Sequence, residues 1–213
     1  MKRILCYGDS NTWGSDPLTG ERLDDQTRWT RVMARTLGLD YEVIEEGLSG
    51  RTTVWDDPIE GYKNGYTYLL PCLETHRPLD LVVIMLGTND LKKRFSLTAY
   101  DIAQGAGVLV ATVQKSTVGR EAKAPPVLLM APPPVGRLTD YAEMFEDSPE
   151  KSKKLGERFR QVAEESGCAF LDTSTVIVSS KIDGIHFDPQ QHTQLGNAVT
   201  IIVKSLLEKS VQN

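Results

Sequence analysis

The stretch Arg3-Ile4-Leu5-Cys6-Tyr7-Gly8-Asp9-Ser10 decides how this chain is read. A short apolar run that stops at a glycine reads as a buried strand. Gly8 lets the backbone turn sharply, which leaves the Ser10 hydroxyl at the strand's carboxyl end. In open α/β sheets that edge is where ligands bind. A serine in such a turn is equally a helix cap or a turn residue, so the rest of the chain has to decide its role.

Working outward, apolar runs of strand length alternate with segments of helical period. Further strands are expected at Tyr41 to Glu45, Leu79 to Leu86, Pro126 to Ala131 and Cys168 to Asp172. Leu79 to Leu86 is almost wholly apolar after Asp80, as in a strand covered on both faces. Helices are expected over Thr27 to Leu37, stopped by Gly38, over Leu97 to Ser116, and over Pro149 to Ser166. A last helix opens at Asp188-Pro189 and carries Leu195, Val199, Ile202 and Leu206 on one side. Strands alternating with helices imply a parallel sheet with right-handed crossovers. Three long connections, Asn11 to Gln26, Asp56 to Pro78 and Pro132 to Asp147, follow strand ends and are expected to surround the site marked by Ser10. With no repeat or linker, residues 1–213 read as one domain.

Composition narrows the function classes. Lys+Arg 24 against Asp+Glu 29 gives a net charge of −5, which argues against a broad nucleic-acid surface. The start of the chain is too briefly apolar for a signal-peptide core, and no run is long enough to span a membrane, so a cytoplasmic location is expected. Cys6, Cys72 and Cys168 are odd in number and far apart, and read as reduced thiols.

Of three histidines, His76 precedes Arg77-Pro78 with no acid at helpful spacing, and His192 falls inside the last helix. His186 follows Asp183 by three residues in Asp-Gly-Ile-His. That spacing lets the carboxylate fold back onto imidazole Nδ1–H and turn Nε2 outward as a base; a capping aspartate beside a surface histidine is the competing reading. Ser49 rivals Ser10 as nucleophile, and neither sits in a Gly-x-Ser-x-Gly elbow. Asn89, after the long apolar strand, should project at the same edge as Ser10 and offer an amide N–H to an oxyanion, or else form a turn with Asp90. Gly47, after the second strand, could bring a backbone N–H close. The histidines are too scattered for a zinc constellation, and Asp24-Asp25 and Asp56-Asp57 read as loop caps. Neither a metal nor a cofactor is expected.

Gly8-Asp9-Ser10, Gly47, Gly87-x-Asn89-Asp90 and Asp183-x-x-His186, in this order and at these intervals, resemble the four blocks of the SGNH (GDSL-type) serine hydrolases. The resemblance runs from the first strand to the last helix. It is nearest to the bacterial arylesterase and acyltransferase branch over Arg3 to Gly14, Val43 to Thr53 and Ile84 to Asp90. It implies a three-layer flavodoxin-like α/β fold, with a five-stranded parallel sheet of order 2-1-3-4-5 and helices on both faces. It also implies Ser10 as nucleophile, His186 as base, Asp183 as its orienter, and an oxyanion hole from Ser10 N–H, Gly47 N–H and the Asn89 side chain. The expected activity is hydrolysis of small acyl or aryl esters through an acyl-enzyme, with transfer to alcohol or peroxide as a further outcome, in a homo-oligomer. Asp9, Trp13, Leu48, Trp55, Phe145 and Ile185 are the candidates to contact substrate. Two other readings stand beside this one. Arg51, Lys92 and Lys93 leave room for a polar substrate, hence a carbohydrate or lipid deacylase on the same triad; a non-catalytic flavodoxin-like binding module is the other. The chain departs from the family pattern at Asn11, where a leucine is usual, and in the polar segment Leu18 to Gln26.

Overall fold

The alternation of side chains along β1 (Lys2–Gly8) sets the architecture. Ile4 and Cys6 point to one face of the sheet and Leu5 and Tyr7 to the other, and both pairs are buried. A strand apolar on both faces needs cover on both. In the computed structural model, which describes residues 1–209, α2 (Trp29–Leu37) and α7 (Pro189–Lys209) cover the Ile4 face. On the Leu5 face lie α3 (Gly65–His76), α4 (Ala99–Gln114) and α6 (Leu155–Ser166).

The sheet is wholly parallel, with β1 between β2 (Tyr41–Gly47) and β3 (Leu81–Met85), followed by β4 (Val127–Ala131) and β5 (Ala169–Asp172). The order is therefore 2-1-3-4-5, as expected from the family resemblance. Register brings Gly8 opposite both Gly47 and Met85, so the carboxyl ends of β1, β2 and β3 stand side by side. The chain leaves β1 through Asp9 directly into the single-turn α1 (Ser10–Trp13).

Three elements differ from the sequence expectation. The Asp56–Pro78 connection contains α3, whose Leu69, Cys72 and Leu73 are buried although Pro71 lies inside it. Proline removes one helical hydrogen bond, and core burial together with an Asn64 cap, accepting from Tyr66 N–H at 2.9 Å, outweighs that loss. The helix expected over Pro149 to Ser166 is two helices, α5 (Ser148–Ser152) and α6, broken at Lys153-Lys154. β3 is shorter than Leu79 to Leu86, and the residues just after it turn into the site.

Where α2 crosses α7 the backbones approach closely at Gly196. A Cβ there would stand 2.7 Å from both Trp29 O and Val32 Cβ. Alanine normally stabilises a helix interior over glycine by about 1 kcal/mol, but overpacking costs about 1–3 kcal/mol. Gly196→Ala is therefore expected to lower the urea midpoint with an unchanged slope, as measured by equilibrium denaturation.

Candidate active site

Asp9 caps α1: its carboxylate accepts from Asn11 N–H at 2.9 Å, and its carbonyl accepts from Thr12 and Trp13 N–H at 3.1 and 2.9 Å. Ser10 is thereby fixed at the first helical position, buried except for a small exposed area at the mouth of a cavity. Its Oγ lies 3.0 Å from His186 Nε2. On the other side of the ring, His186 Nδ1 lies 2.5 Å from Asp183 Oδ2. Ser10 and His186 are 176 residues apart in sequence, and the loop before α7 closes that gap.

This loop is built to hold the ring. Asp183 Oδ1 accepts from Ile185 N–H at 2.8 Å and His186 N–H at 3.0 Å, while Oδ2 takes the ring. The capping and orienting readings of Asp183 thus both describe it, one on each oxygen. Ser180 N–H donates to His186 O, and Gly136 N–H donates to Gly184 O, each at 2.7 Å. Tyr141 presents its ring edge-on to the imidazole, with centroids 6.1 Å apart. Burial raises the Asp183 carboxyl, but hydrogen bonds from the His186 ring and the two N–H groups outweigh it and hold the acid below its ordinary range.

Asn89 begins a short 3-10 turn after β3 and faces the same cavity. Its Nδ2 donates to Arg51 O at 3.1 Å, with Asp9 Oδ2 farther off at 3.5 Å. Gly47 stands at the same edge, in register with Gly8. A Cβ on it would lie 2.2 Å from Trp13 N, so α1 packs on β2 only because residue 47 has no side chain. Asp90 turns away and accepts from Thr53 N–H at 3.0 Å and from the Thr53 hydroxyl. Burial pushes both Asp9 and Asp90 up to about 6.

The cavity beside Ser10 encloses about 600 Å³, within the range of small-molecule sites. Tyr141, Phe145, Met144, Ile182 and Ile185 supply apolar lining, and Asp16, Glu60, Lys63 and Lys92 supply charge. Of the six residues expected to contact substrate, Phe145 and Ile185 line it. Asp9 is buried behind Ser10, Leu48 donates its N–H to Gly8 O in the turn after β2, and Trp13 lies under the Arg22 guanidinium. Trp55 is more than a third exposed, and its carbonyl accepts from the Thr52 hydroxyl. Ser49 lines the cavity, but the His186 ring pairs with Ser10. Of Arg51, Lys92 and Lys93, read from sequence as room for a polar substrate, only Lys92 lines the cavity; Lys63, Tyr141 and Met144 are lining residues that the sequence marks only by their membership of long connections.

The other histidines are engaged elsewhere. His192 is fully buried in α7, where its Nδ1 accepts from Trp29 N–H at 3.3 Å and desolvation pushes it down to about 4. His76 has an acid after all: Glu46 Oε1, from the end of β2, lies 2.8 Å from its Nε2. With Cys72 these two form a trio whose donor atoms lie within 4.8 Å of one another, the metal-type cluster found among the described residues. Burial raises the Cys72 thiol to about 12, with Glu46 adding to the effect.

The sequence model of the GDSL-like lipase/acylhydrolase family matches residues 6–194. Among solved structures, the aryl esterase of M. smegmatis is 45% identical with a TM-score of 0.93, covering 97% of this chain and 100% of its own. A carbohydrate acetylesterase of Sinorhizobium meliloti is 42% identical with a TM-score of 0.94, over 97% and 100%. A carbohydrate acetylesterase family member of the same organism is 37% identical with a TM-score of 0.92, over 98% and 100%. Comparison with curated protein sequences gave no significant match.

The buried Asp90 gives the site a measurable cost. Because its folded pKa is raised, the stability it contributes is complete below its ordinary value of 3.8 and is lost as pH rises through about 6. Asp90→Asn cannot titrate. Its stability relative to the parent is expected to improve between about pH 5 and about pH 8, as read by urea denaturation at both.

Proposed function

This chain belongs to the GDSL-like lipase/acylhydrolase family and is a carboxylic ester hydrolase, and on that premise we propose that it cleaves small acyl and aryl esters by two-step acyl transfer on Ser10. The observation that carries the reading is the unbroken hydrogen-bonded chain Ser10 Oγ, His186 Nε2, His186 Nδ1, Asp183 Oδ2 at the cavity mouth. A serine hydroxyl is a weak nucleophile until a base takes its proton, and the base needs a third group to fix its tautomer.

Ser10 Oγ attacks the ester carbonyl carbon as His186 Nε2 accepts the hydroxyl proton. The carbonyl oxygen becomes an oxyanion that receives hydrogen bonds from the Asn89 amide and the N–H groups of Ser10 and Gly47. Collapse expels the alcohol, which takes the proton from His186 and leaves Ser10 acylated. Water then repeats the sequence and regenerates Ser10; an alcohol or peroxide in its place gives acyl transfer or perhydrolysis. Asp183, held below the ordinary carboxylate range, stays charged beside the imidazolium in both steps.

The apolar wall around Tyr141, Phe145 and Ile185 supports a small apolar acyl or aryl group. A second reading, removal of acetyl groups from carbohydrate by the same triad, is supported by the opposite chemistry in that cavity. Lys92, almost fully buried, pairs there with Glu60 at 2.5 Å, and Lys63 is close by. Rates on p-nitrophenyl acetate, a long-chain ester and an acetylated sugar separate the readings. Exposed Ile59 and Tyr62, close to Trp55 in sequence, support self-association into a homo-oligomer. Three unpaired cysteines support residence in a reducing compartment, and no helix among the described residues is long and apolar enough to cross a membrane.

His186→Ala is expected to lower kcat/KM by roughly three orders of magnitude with the fold intact by circular dichroism; near-normal turnover would refute the assignment. An organophosphonate should label the parent protein and fail to label Ser10→Ala.

A further inference from the structure

We propose that Arg51 is a positioning residue that holds Asn89 in oxyanion-binding orientation, a role that rests on the reading of Asn89 given above. Arg51 follows the turn after β2, its N–H donating to Leu48 O at 3.0 Å. It is 3% exposed, and among the described residues its guanidinium forms no ion pair. Instead Nη1 donates to two backbone carbonyls, Gly8 O at 2.9 Å and Glu46 O at 2.5 Å. The guanidinium carbon sits 4.1 Å from the centroid of the Tyr7 ring and 5.6 Å from that of Tyr68.

The Arg51 charge is felt by the Asp9 carboxyl, which burial raises and this charge lowers, but no carboxylate of the described residues touches it. Burying a charge without a contacting counter-charge is expensive, and an apolar side chain of similar volume would fill the space at lower cost. Carbonyl acceptors and ring faces replace part of the lost hydration. What an apolar side chain could not do is tie the last residue of β1 to the end of β2. That tie fixes the backbone of residue 51, and the Arg51 carbonyl is the near partner of Asn89 Nδ2, at 3.1 Å. Both groups facing the amide, Arg51 O and the Asp9 carboxylate, are acceptors, so only the NH2 end of Asn89 fits there. Arg51 O engages one amide hydrogen. Asp9 Oδ2, at 3.5 Å, is too distant to engage the second strongly, which leaves it for a developing oxyanion. Two residues on, Thr53 N–H holds Asp90, so the strap from Arg51 to Thr53 grips both Asn89 and Asp90.

A double-mutant cycle on the intact protein tests this, with kcat and KM for p-nitrophenyl acetate and the thermal midpoint measured for each variant. Arg51→Met is expected to lower kcat by roughly 10- to 100-fold with KM within about twofold, and Asn89→Ala by about 100-fold or more. In the Asn89→Ala background, Arg51→Met should then change kcat by less than about threefold, because its route of action is gone. Arg51→Lys, which keeps the charge and one donor, should recover part of the loss, and it carries the same cycle if Arg51→Met does not fold. Equal losses in both backgrounds, an unchanged kcat, or a loss seen only in KM would overturn the proposal. If Asn89→Ala itself leaves kcat unchanged while Ser10→Ala is inactive, the oxyanion assignment of Asn89 fails and the role of Arg51 falls with it.

Discussion

At Gly47 the backbone of Trp13 occupies the space a side chain would take, with its nitrogen 2.2 Å from where a Cβ would be. The rest of the site depends on that contact. It seats the single turn of α1 on the end of β2, and the same turn carries Ser10. The parallel register supplies the other half of the constraint by setting Gly8, Gly47 and Met85 in one row. Groups from three strand ends then reach one cavity without any of them having to move. The His186 loop arrives last in the chain and is braced by its own turn and by Gly136.

Around this arrangement the protein keeps more buried charge than its core would favour. Asp9, Asp90, Arg51 and Lys92 are each almost fully removed from water. Asp90, Arg51 and Lys92 are matched to donors or acceptors from a different segment and work as cross-links between loops rather than as sources of stability, while Asp9 caps its own turn. Asp9 reaches Asn11 and approaches Asn89, Asp90 reaches Thr53, and Lys92 reaches Glu60. A site assembled from loops is held in shape by polar contacts of this kind, since loops bring little apolar surface to bury.

Legibility in the sequence followed the range of the interaction. β1 was readable because its apolar run and its glycine are contiguous, and Asp183 with His186 because their contact spans three residues. The pairing of Ser10 with His186 came from the family resemblance, since no periodicity links residues 176 apart. The helix α3 was hidden by Pro71 and by a long stretch with little helical signal; only packing of Leu69 and Leu73 makes it worth forming. The contact of His76 with Glu46 was equally invisible, since 30 residues separate the two in sequence. The cavity lining was the least readable part. Phe145 faces the cavity and Trp55 does not, a distinction made by how each loop folds back.

Asn11 stands where relatives are expected to carry leucine, and its environment shows what the exchange does. Its Nδ2 donates to Ile185 O at 3.3 Å, and its own carbonyl accepts from Trp29 Nε1 at 3.1 Å. Its side-chain oxygen is buried with no hydrogen-bond partner. One long bond gained against one acceptor stranded leaves little net free energy. The side chain therefore acts mainly as a tether between the helix of Ser10 and the loop of His186. Leucine here would remove both that bond and the stranded acceptor. Position 11 thus joins the helix of Ser10 to the loop of His186 through a side chain that is not part of the Ser10–His186–Asp183 hydrogen-bonded chain.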